Sequence, residues 1–190
     1  MLNNLESANE FNEFLNDAHL CSIRARFGLA MCLLNEFANR HQIAGKAFNE
    51  FRKELWESPL LWASIGDAVP WYENLKAFDE REISSENAFG ANDPISTSSN
   101  DILRFVNAAK NTESVLLISF YFAADNEGTL ELLKNVAEIC GPPELPPTTP
   151  FKFSTFSQGS GWGPKLHLKD LRFWRKFSET WYLDLQEYQS

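Results

Sequence analysis

Thiols and imidazoles, a glycine-rich stretch and clustered carboxylates are the groups in this 190-residue sequence that could do chemistry. His19, Cys21, Cys32 and His41 have the ligand types of a soft-metal site. Such a site needs converging ligands, usually in close pairs such as C-x-x-C or H-x-x-x-H. The close pair here is His19-x-Cys21, and on a helix those two side chains point about 200° apart. Cys21 and Cys32 share a face beside an apolar stripe, where a thiol behaves as a small buried hydrophobe. No metal and no cofactor are expected.

Cys140 with His167 is the candidate for nucleophilic catalysis, because thiol–imidazole pairs assemble in space. Cys140 falls at an expected helix end, however, with no cysteine-protease signature around it. Gly159-Ser160-Gly161-Trp162-Gly163 invites comparison with a phosphate cradle, and Lys165 follows it. A cradle needs a preceding strand and a helix N-terminus directly after it. Pro164 and a strand-like segment follow instead, so the stretch reads as a flexible loop. Trp162 at its tip would be a binding anchor.

The carboxylates are densest at Asp79, Glu80, Glu82 and Glu86. Consecutive acids diverge, unlike the facing pair that flanks a scissile glycosidic bond. A basic partner suits them better, with Glu73 extending the surface and Trp71 as an apolar anchor. The chain as a whole carries a net charge of −9, with a pI near 4.9. Acidity of this kind argues against direct nucleic-acid binding, which Lys and Arg drive by displacing counterions. The charge is uneven. Residues 1–18 hold four acids and no base, and residues 57–101 sum to −7.

Composition sets the frame that must position these groups. An apolar fraction of 44%, with sixteen Phe and six Trp, supplies ample surface for a core. Three widely spaced cysteines are not a disulfide framework, which points to a reducing, cytoplasmic compartment. The first residues lack the basic and apolar regions of a secretory signal. The longest apolar run, Val115 to Ala124, is about half a membrane span, so no membrane partner is expected.

Apolar spacing predicts helices over about 1–18, 19–39, 44–56, 58–65 and 71–83. Ser58-Pro59 supplies a cap and a proline for the fourth of these. The polar run 84–100 has no period and reads as a loop. A helix is expected from about 101, another over 129–139 stopped by Gly141, and a last one over about 169–188. Val115–Phe122 is rich in β-branched and aromatic residues and predicts a doubly covered strand. The five prolines of 141–150 impose an extended segment, and Pro147-x-x-Pro150 has the spacing of ligands that dock on SH3-like domains. Segments 151–156 and 165–168 alternate weakly and predict a hairpin.

The expected fold class is α+β: a predominantly helical single domain, 1–190, with a small sheet of strand 115–122 and hairpin 151–168. Its possible subdivision is a helical layer 1–83 and an α/β part 101–190, joined by loop 84–100. The expected function is an acidic protein-binding or inhibitor module that engages a basic protein such as a nuclease or toxin, similar in physical type to antitoxins and immunity proteins. An enzyme assembled from scattered residues and a structural subunit of a larger complex are the alternatives.

Overall fold

The computed structural model describes residues 2–44, 46–63, 66–73, 99–120 and 124–183. Seven helices have defined bounds or nearly so: α1 (Leu2–Leu20), α2 (Ile23–Arg40), α3 (Lys46–Trp56), α4 (Pro59–Trp62), a helical stretch α5 (66–73), α6 (Ser99–Leu117) and α7 (Asn126–Cys140). An eighth, α8, spans Leu168–Thr180. Short 3-10 turns at Thr149–Phe151 and Gly159–Gly161 lie between α7 and α8.

The second helix is the axis of the fold. Ile23 through Ala38 are all buried, and α6, α7 and α8 pack around it. A helix that is covered on every side must avoid bulk where neighbours come closest. Gly28 is such a point: a Cβ there would overlap the Phe151 ring. Ser22 starts the helix, its Oγ accepting from the Ala25 N–H at 3.2 Å. That cap places the break between the first two helices at Cys21-Ser22, two or three residues beyond where apolar spacing put it.

The α+β expectation is overturned. Among the described residues there is no sheet, only an isolated bridge between Cys21 and Thr155. Of the expected strand 115–122, residues 115–117 form the last turn of α6, 118–120 are a turn, and 121 and 122 lie outside the described residues. Ala108, Thr112, Val115, Leu116 and Ser119 are buried at helical spacing, so the run is the well-covered end of a helix. An unbroken apolar run does not by itself distinguish helix from strand.

The hairpin expected over 151–168 is absent too. Phe151 ends one 3-10 turn, and Gly159–Gly161 forms the other. The two backbone bonds that a strand would give to a partner strand go to the α1–α2 joint instead. Ser22 N–H donates to the Ser154 carbonyl (2.8 Å), and Phe156 N–H to that of Leu20 (3.0 Å). Local signals fared better elsewhere. Ser58 caps α4, and Gly141 ends α7 in the left-handed conformation at φ 51°, although α7 starts at Asn126, capped by Asp125, rather than at 129. The loop 84–100 lies outside the described residues except at 99–100, yet residues on both sides of it share one buried cluster.

Candidate functional site

The first helix carries Glu10, Glu13 and Asp17 at i, i+3 and i+7, a spacing that puts three carboxylates on one face. The proline-rich segment after α7 runs alongside, held extended by its composition. Asp17 fastens the two together. Its carboxylate accepts from Thr148 Oγ1 at 2.7 Å and pairs with Lys152 Nζ at 2.8 Å. These same contacts, with Lys152 first and Thr148 second, hold the Asp17 pKa below its usual 3.8.

Between helix and proline segment lies a groove of about 430 Å³. Phe14, Leu145, Pro146 and Pro147 give it an apolar lining, while Glu10, Glu13, Asp17 and Glu144 supply carboxylates. Glu10, Glu13 and Glu144 are exposed, and no described base lies within 4 Å of any of them. The groove therefore offers unpaired negative charge next to apolar contact. This is the chemistry that accepts lysine or arginine, whose methylene stems cover apolar surface while their heads keep a polar partner.

The two aromatic residues expected as anchors face inward. Trp71 is buried, and its indole N–H donates to the Glu54 carbonyl at 2.9 Å, tying α5 to α3. Trp162 is only 7% exposed rather than presented at a loop tip. Its carbonyl accepts from Arg24 Nη1 at 2.8 Å, and the guanidinium sits 5.7 Å from its ring centroid. Glu73 is exposed at the end of the described part of α5. Asp79, Glu80, Glu82 and Glu86 lie outside the described residues.

Among the described residues no three of His, Cys, Asp and Glu are grouped to hold a metal. His19 ends α1 and His41 follows α2, which puts about 27 Å of helix between them. The three cysteines are free and buried. Burial pushes the Cys21 thiol up to about 11 and the Cys140 thiol up to about 12, and raises that of Cys32 as well. A thiol so raised is a poor nucleophile near neutral pH. His167 is exposed at the start of α8, where its N–H donates to the Asp170 carboxylate at 3.2 Å.

Sequence reasoning missed two buried arginines on α2. Arg24 donates to the carbonyls of Leu60 (2.7 Å), Trp162 (2.8 Å) and Gly163 (3.1 Å). Arg26 donates to the carbonyls of Ala18 (2.9 Å), His19 (2.7 Å) and Asn126 (2.6 Å), to Thr129 Oγ1 (2.6 Å) and to the Asn126 side-chain oxygen. Burial lowers both pKa values to about 10, so each remains charged at neutral pH. They clamp backbone rather than forming a site. The groove was also missed, although its signal was present: the acids of 1–18 recur at helical steps. No helix among the described residues is long and apolar enough to cross a membrane.

No protein-family model matches the chain, no curated protein matches it in sequence, and no solved structure matches its fold.

Proposed function

We propose that this protein is a binding module that receives a basic segment of a partner protein in the groove between α1 and the proline-rich segment. The observation that carries the reading is the set of unpaired carboxylates, Glu10, Glu13 and Glu144, beside the apolar lining of Phe14, Leu145, Pro146 and Pro147. Opposite charge brings such a partner in quickly, and apolar contact slows its departure. Asp17, already neutralised by Lys152, closes one end of the groove and leaves the other carboxylates to bind. The partner class is a basic protein such as a nuclease or toxin, and the role is that of an inhibitor which occupies a cationic surface. Glu73 and the acids at 79–86 contribute to the net charge of −9 that attracts such a partner. Free, buried thiols fit a reducing, cytoplasmic setting for this encounter.

Fluorescence anisotropy with a labelled lysine- and arginine-rich peptide tests the reading, using an acidic peptide of equal length as control. The expected result is saturable binding of the basic peptide alone, weakened by salt and lost in Glu10→Lys/Glu13→Lys/Glu144→Lys. Binding that survives those three reversals would remove the groove from the reading. Reversing Asp79, Glu80 and Glu82 in a second variant reports whether that run shares the contact. The enzymatic alternative has no observation in its favour that compares with the groove.

A further inference from the structure

The last helix carries a surface of the opposite sign. Lys169, Arg172, Arg175 and Lys176 are all exposed on α8, in a chain whose net charge is −9. Arg175 is engaged by Glu179 at 3.5 Å. Lys169, Arg172 and Lys176 have no described carboxylate within 4 Å. Large apolar groups accompany them, with Phe173 and Leu168 each more than half exposed. Leu171, Trp174 and Ser178 bury the opposite side of the helix, so this outward face is left over after the core is complete.

The spacing of these bases repeats that of the groove acids. Lys169, Arg172 and Lys176 stand at i, i+3 and i+7, as do Glu10, Glu13 and Asp17. Both sets therefore climb their helices by about 4.5 Å and then about 6 Å. Laid parallel, α8 of one molecule matches α1 of another base for acid, in a single register. An antiparallel alignment would reverse the order of the steps and displace the middle pair by about 1.5 Å. Phe173, next to Arg172, would bring an aromatic ring to an acceptor lined by Phe14, Leu145, Pro146 and Pro147.

We infer that the exposed face of α8 docks onto the α1 groove of a second copy of this chain. The inference rests on the groove reading above and supplies one occupant for it, with Lys169 and Arg172 meeting Glu10 and Glu13. Lys176 approaches Asp17, where it competes with Lys152. Self-association then covers the groove, and a basic partner must displace the second copy to enter. Unlike surfaces meet in this contact, so it either closes reciprocally or continues from copy to copy.

Sedimentation velocity over a range of protein concentrations, at low and high salt, tests this with three proteins. Wild type is expected to exceed its 21.7 kDa monomer mass as concentration rises at low salt, and to return to monomer at high salt. Glu10→Lys/Glu13→Lys and Arg172→Glu/Lys176→Glu are each expected to stay monomeric, with circular dichroism melts like that of wild type. Mixing the two variants restores association, because each supplies the charge that the other lacks. Wild type that stays monomeric throughout overturns the inference, as does self-association indifferent to both variants or a mixture that fails to associate. Capture of the Arg172/Lys176 face by anionic vesicles or single-stranded DNA, with no self-association, overturns it too. If wild type is monomeric yet binds the basic peptide through Glu10 and Glu13, this inference fails while the groove reading stands. If self-association follows the expected pattern but the basic peptide neither binds nor competes, the failure belongs to the groove as a partner site.

Discussion

The arginines inside α2 and the carboxylates along α1 are both concentrations of charge, and the molecule treats them in opposite ways. Arg24 and Arg26 are surrounded by carbonyl oxygens and a hydroxyl, with several donors satisfied on each. Glu10 and Glu13 are exposed, with no described base within 4 Å. A buried charge without partners is too costly to keep, so interior polar groups must be matched to structure. An exposed charge can stay unmatched because water solvates it, and it remains available to a ligand. The difference teaches which residues can change without harm to the fold and which cannot.

The largest effect is expected where the interior charge is removed. Arg26→Met takes a charged donor from the carbonyls of Ala18, His19 and Asn126 and from Thr129 Oγ1 together, and should cost about 3–5 kcal/mol in urea denaturation. A loss below about 1 kcal/mol would mean that those groups are readily re-solvated, and the contrast with the groove would collapse. Next comes Gly28→Ala, which forces a methyl group against the Phe151 ring and should cost about 1–3 kcal/mol by overpacking.

Asp17 stands between the two regimes, half in the structure and half in water. Its folded pKa is depressed, so its contribution to stability is present above the unfolded value of 3.8 and disappears as pH falls through the folded value. Because the carboxylate is 41% exposed, that contribution should stay under about 1 kcal/mol after solvent screening. Subtracting the stability of Asp17→Asn from that of wild type across the acid range reads it directly. The smallest effect belongs to Glu10→Lys/Glu13→Lys, where unfolding stability should move by no more than about 0.5 kcal/mol. A larger change in the same denaturation measurement would give those carboxylates a structural role and erase the comparison.

Local chemistry was legible in the sequence, and long-range packing was not. Ser58-Pro59 and Gly141 announce helix ends through groups within a few residues, and each does so in the structure, whereas α7 begins at Asn126, three residues before the expected start. Val115–Phe122 misled because Leu117 and Ile118, on the more open side of the helix, are apolar too, so the sequence shows no period there. Phe151–Phe156 misled because its backbone runs through successive turns and bonds to the α1–α2 joint rather than to a strand. Trp162 stood in a glycine-rich stretch that suggested exposure, and only Arg24, 138 residues away, explains why it is turned inward. The groove needed both levels. The acid spacing on α1 could be read locally, but the proline segment that forms its other wall is brought there through Asp17, Thr148 and Lys152.

The reach of Arg24 also bears on how the chain is made. Its carbonyl partners at Trp162 and Gly163 are synthesised 138 and 139 residues after it. At the usual pace of translation that delay is roughly 7–28 s. Until then Arg24 has at most the Leu60 carbonyl of its final acceptors, whereas Arg26 follows the Ala18 and His19 carbonyls in the chain and gains that of Asn126 100 residues later. Arg24 therefore ties α2 to a segment made 138 residues later, and its full set of acceptors forms only after that segment has emerged.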